Sequence, residues 1–239
     1  MASWGGLFGV AVVIAWFDTT DGGIHRVHDM GFGALYGVIL AVGLAVQVRR
    51  PEARVSPFYQ ILHVAIASAI AGLLSLNAFW QLGLFIFLGY VILLVLHPYR
   101  SEILHPKREG FSVPLLALTV LGAVPLIWYA ITVSGYQRNG PTFDLHVKGG
   151  HWSMMAAMAI GIVLVGFLSA FRFRGWVISA WSAAGAVALF GLASVVYPRY
   201  AGAEGTAWGL AGIIGGLVFA AVAEWERRRS SRPLERTPA

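Results

Sequence analysis

The sequence predicts an all-α polytopic membrane protein with about eight transmembrane helices, and three observations carry that prediction. Of its 239 residues, 58% are hydrophobic and 12% charged, with a mean hydropathy of +0.72. A soluble globular chain carries about 25% charged residues. Apolar stretches of bilayer-spanning length, roughly 17–25 residues, recur along the chain. The positive charges also fall in alternate loops, as the topology of a membrane protein requires.

The spans read as 2–17, 31–48, 57–79, 82–98, 113–133, 152–171, 175–197 and 207–225. Each ends at a polar or turn-forming break. The first is the shortest in apolar length, so the alternative is a seven-span chain with that segment lying in the interface. No small-residue cleavage site precedes Asp18, so the segment reads as retained rather than as a removable signal peptide.

Charge fixes the expected topology. Arg49, Arg50 and Arg54 follow the second span; Arg100, Lys107 and Arg108 follow the fourth; Arg172 and Arg174 follow the sixth; five arginines follow the eighth. These make up 13 of the 17 lysines and arginines. The positive-inside rule then predicts a multi-pass protein of the cell membrane with both termini cytoplasmic. The pI near 10 is explained by this loop charge, and a nucleic-acid partner is not expected. The absence of cysteine excludes disulfides, iron–sulfur clusters and thiolate metal sites.

The chain divides at a hydrophilic stretch. Residues 1–98 form a first four-helix half, 99–112 a cytoplasmic linker, 113–225 a second half, and 226–239 a basic disordered tail. His28 to Arg50 spans nearly the same distance as His151 to Arg174, once Gly149-Gly150 is taken as an insertion. Four spans per half make this a parallel 4+4 internal repeat, with its pseudo-two-fold axis along the membrane normal.

Histidine and methionine mark the expected site. His25, His28 and Asp29 lie at the start of the second span, with Met30 beside them. His146 and His151 precede the sixth, where His151, Met154, Met155 and Met158 form one helical stripe at i, i+3, i+4 and i+7. Thioether stripes are commonly flexible core packing. Yet apart from Met1 every methionine of the chain lies beside these histidines. Imidazole with thioether suits copper, or a haem b with a bis-His or His/Met axial pair. His28 and His151 are the expected central ligands. His25, Asp29 and His146 are secondary ones, and His146 joins only if Gly149-Gly150 breaks the helix.

His63, about two turns into the third span, is a further candidate: a haem ligand, a proton-relay member, or a neutral ring bonded to Ser68 or Ser182. Gly33-x-x-x-Gly37, Gly205-x-x-x-Gly209 and Gly212-x-x-x-Gly216 predict close helix packing. Nucleophile-elbow, zinc-protease, phosphate-loop and dinucleotide motifs are absent. The leading expectation is copper handling or membrane electron transfer at an outer His/Met site. A transporter with a site between the halves, and an accessory subunit of a larger membrane complex, are the alternatives.

Overall fold

The structure, a computed structural model, describes Trp16 and residues 25–230. The expected span 2–17 therefore lies outside the described residues except for Trp16, as do residues 231–239 of the tail. Every regular element described is helical: α1 (Arg26–Val48), α2 (Val55–Leu74), α3 (Trp80–Leu96), α4 (Arg100–Leu104), α5 (Val113–Asn139), α6 (Leu145–Lys148), α7 (His151–Ala170), α8 (Trp176–Val196) and α9 (Gly205–Ser230). Among the described residues six helices are long and apolar enough to cross a membrane: α1, α2, α5, α7, α8 and α9. The apolar α3 has 17 residues and falls just short of that length.

Burial orders the bundle. The spanning window of α7 is 83% buried, whereas those of α5 and α9 are 22% buried. A helix that is hydrophobic all round and enclosed forms the centre, while apolar helices left exposed face lipid. α7 is the hub, packed on α5 and α2, with α8 and α1 completing its surround. α3 lies against α2, and α9 lies against α8.

Several boundaries differ from the sequence reading for local reasons. α2 ends at Leu74, not at 79, because Leu76 takes a left-handed backbone (φ 51°) and Asn77 Oδ1 accepts from the Phe79 N–H at 3.1 Å. Apolar composition continues through this turn and hides it. At the other end of the chain, α9 runs on to Ser230, so the first part of the expected disordered tail is helix. Arg227, Arg228 and Arg229 in its last turn suit the negative end of the helix dipole. α1 changes winding at Gly33–Leu40, a π-type segment in which the Ala41 N–H reaches the Tyr36 carbonyl.

Glycine sets how closely α8 and α9 approach. A Cβ on Gly191 would lie 2.5 Å from the Gly209 carbonyl oxygen, and one on Gly216 would lie 2.6 Å from that of Ala184. Both obstacles are backbone and cannot yield. The spacings 205–209 and 212–216 thus include real contact residues, which the sequence singled out correctly. Gly191→Ala is expected to destabilise the protein by about 1–3 kcal/mol, read by thermal or SDS titration in micelles. Gly215→Ala, which meets open space, is the control expected to leave stability nearly unchanged.

Candidate functional site

The chain delivers four histidines to one end of the bundle, opposite the arginine-rich end. His25 is the N-cap of α1 and His28 lies in its first turn. On the other side, Asp144 caps the short α6, its Oδ1 accepting from the His146 backbone N–H at 2.7 Å and pairing with His146 Nδ1 at 3.1 Å. A carboxylate only accepts, so Nδ1 carries a proton toward Asp144. The backbone N–H of His146, then its side chain, holds the Asp144 carboxyl below its ordinary range.

Gly149-Gly150 then breaks the chain between α6 and α7, as His146 requires. Gly150 is left-handed (φ 69°), a conformation other residues adopt only under strain. Gly149 serves a different need: a Cβ there would lie 2.5 Å from Nε2 of His151, so its absence lets that ring fold back over the turn.

The outcome is a compact group of imidazoles. His25 lies 4.9 Å from His146 and 4.5 Å from His151 between ring centroids; His28 lies 4.7 Å from His146 and 5.6 Å from His151. Trp152 closes one flank, 4.8 Å from His28 and 5.5 Å from His146, and packs in turn on Tyr136. Its position at the bilayer boundary suggests only an interfacial anchor in the sequence, so its role as a wall of the cluster is visible only in three dimensions. His28 is 0% exposed, and among the described residues neither of its ring nitrogens has a hydrogen-bond partner. His151 Nδ1 is likewise buried and unpartnered.

Methionine divides into two groups. The sulfurs of Met155 and Met158 lie against Gly31, where an added Cβ would run into the Met155 sulfur and come within 3.3 Å of that of Met158. Both residues are fully buried, while Met154 is only partly so. Met30 turns the other way and packs with Ala193, Trp16 and Tyr197. Asp29 lies in the first turn of α1, where a carboxylate complements the helix dipole.

A second cover comes from the α8–α9 loop, which the sequence did not mark. Gly202 (φ 86°) sits where a Cβ would be 3.3 Å from His28 Nε2 and 3.6 Å from Met155 Cε. Tyr129 of α5 donates to its carbonyl at 2.7 Å. The Arg26 guanidinium lies over the Tyr197 ring at 4.7 Å and anchors the same loop to α1. Asn77 donates to Ser153 Oγ at 2.8 Å and ties the α2–α3 turn to α7.

His63 stands apart. It lies in the half of α2 nearer the arginine end, and its Nδ1 pairs with the Tyr59 carbonyl at 2.7 Å. The serines named for it are engaged elsewhere, Ser68 with Tyr36 and Ser182 with Gln60. The i−4 carbonyl of its own helix is simply nearer.

As they stand, no three His, Asp or Glu side chains among the described residues form a group set to hold a metal ion. The rings are gathered but packed on one another. No family model matches the chain, and no curated protein or solved structure is significantly similar to it.

Gly31→Ala is expected to push the Met155 thioether out of its seat. The overpacking should cost about 1–3 kcal/mol in unfolding free energy, and Gly31→Ala combined with Met155→Ala should recover part of that loss.

Proposed function

We propose that the protein binds a copper ion between α1 and α7, as a copper-handling protein of the membrane. The observation that supports it most is His28: a buried imidazole with two unpartnered ring nitrogens, among three further imidazoles. A buried polar atom without a partner costs about 1–3 kcal/mol, so its retention calls for a ligand. Ring rotation about the side-chain torsions would turn these nitrogens from ring–ring contact toward a shared ion. Asp144 would orient His146 through its second nitrogen, as carboxylates orient metal-bound histidines. Met155 and Met158 would supply the soft edge that copper accepts and hard cations do not.

Haem fits less well. With the four rings 4.5–5.9 Å apart and Trp152 and Gly202 on their flanks, a macrocycle between His28 and His151 would have to displace the other two histidines.

The parallel repeat forms part of this reading. His151 lies 123 residues after His28, and their rings are 5.6 Å apart. Ser56 and Ser179, also 123 residues apart, share a hydrogen bond of 2.9 Å. In a duplicated chain only residues on the two-fold axis touch their own equivalents. Both pairs therefore support one axis running through the histidine site and the α2–α8 interface. Gln60, bonded to Ser182 at 3.2 Å, adds a buried polar contact beside that axis. This favours a second reading, passage of the ion between halves.

Purified protein is expected to bind about one copper per chain, read by elemental analysis and X-ray absorption. His28→Ala and His151→Ala should each weaken binding by well over about tenfold. Wild-type-like binding in both would end the proposal. Binding should also weaken at low pH, because each imidazole ligand must be deprotonated to hold the ion. Asp144, held below its usual range, keeps its charge lower in pH than an ordinary carboxyl would. Asp144→Asn should lower affinity about 10–100-fold. For passage, copper uptake into proteoliposomes that survives Gln60→Leu unchanged would remove the axial route.

A further inference from the structure

At the arginine end, where the turn between α7 and α8 meets the end of α9, lies a pocket of about 230 Å³ lined by Arg172, Trp225, Glu226, Arg229 and Ser230. It carries charge of both signs. Arg172 has a left-handed backbone (φ 48°), unusual for a residue with a Cβ, and its guanidinium lies over Trp176 at 4.7 Å while Nη2 donates to Ser230 Oγ at 2.7 Å. Arg229 lies over Trp225 at 5.5 Å and is otherwise exposed. Glu226 is 8% exposed, and its Oε2 has no hydrogen-bond partner among the described residues.

Two guanidinium groups beside a buried carboxylate whose Oε2 has no partner among the described residues complement a ligand that carries a phosphate and a primary ammonium. We infer that this pocket binds the headgroup of an ethanolamine phospholipid. The phosphate would engage Arg172 and Arg229, and the ammonium would donate to Glu226 Oε2. A choline headgroup lacks N–H donors for that carboxylate, and a glycerol headgroup lacks the positive charge. Basic pockets between helices at a membrane surface are known lipid sites.

The position suits a lipid better than a soluble zwitterion. Glu226 lies seven residues beyond Phe219, and thus on the same face of α9. Phe219 belongs to an apolar crevice of about 550 Å³ that runs up between α5 and α9, past Gly212 to Trp208. An acyl chain rising from the headgroup pocket follows that face into the crevice.

Native mass spectrometry of the full chain, exchanged among micelles doped with phosphatidylethanolamine, phosphatidylcholine or phosphatidylglycerol, tests the assignment. One ethanolamine lipid per chain should be retained in preference to the other two. Glu226→Gln should reduce its preference over phosphatidylglycerol by about tenfold, the scale of one charge-assisted hydrogen bond. Arg229→Gln, an exposed substitution that leaves the fold intact, should weaken retention of all three lipids. Equal retention of the three by wild type, or an unchanged preference in Glu226→Gln, overturns the proposal. So does a truncation after Ser230 that alone creates lipid binding, since the tail would then be the natural occupant.

Discussion

The burial of His28 is the constraint around which the histidine end of the molecule is organised. An imidazole removed from water with both nitrogens unpartnered among the described residues is unfavourable, and three elements, α6, α7 and the α8–α9 loop, converge to keep it there. Trp152 of α7 packs against its ring edge-on, Gly202 of the α8–α9 loop lies over Nε2, and His146 and His151 close the remaining sides. Each neighbour has its own support: Asp144 for His146, Gly149 for His151, Tyr129 for Gly202. A site built this way has its first layer of side chains fixed by a second, the arrangement that holds binding geometry tight.

The two ends of the bundle solve opposite electrostatic problems. The histidine end gathers four imidazoles and carries few fixed cations. The arginine end gathers permanent charge, which suits contact with lipid phosphates, and satisfies part of it on aromatic faces and serine hydroxyls. Between them the bundle is held by apolar packing and glycine-mediated contact, with a few buried hydroxyl pairs such as Tyr36–Ser68 and Ser56–Ser179. In a bilayer such pairs replace the water that the same groups would otherwise need.

The parts of this architecture legible in the sequence were those with a strong one-dimensional signal. Apolar length located the described membrane helices, the Gly-x-x-x-Gly spacings marked Gly209, Gly212 and Gly216 on the α9 side of its contact with α8, and Gly149-Gly150 announced the break that lets His146 meet His151. Hydropathy could not place the end of α2, because the Leu76–Asn77 turn is set by backbone conformation and a side-chain cap. Nor could it separate Met155 and Met158, which face Gly31, from Met30, which turns toward α8: the π-type winding of α1 and the tertiary register decide that. The covering role of Gly202 arises from a loop about fifty residues beyond His151, and no local motif encodes such a contact.

The Tyr129–Gly202 hydrogen bond has a mechanical meaning. α5 is largely lipid-facing, and a helix with few protein neighbours adjusts its tilt to the thickness of the surrounding hydrocarbon. Tyr129 couples that tilt to the peptide lying directly over His28. A thinner or thicker bilayer therefore bears on the imidazole cluster through this hydroxyl and through the Tyr136 ring against Trp152, and the cluster's environment becomes a property of the membrane as well as of the chain.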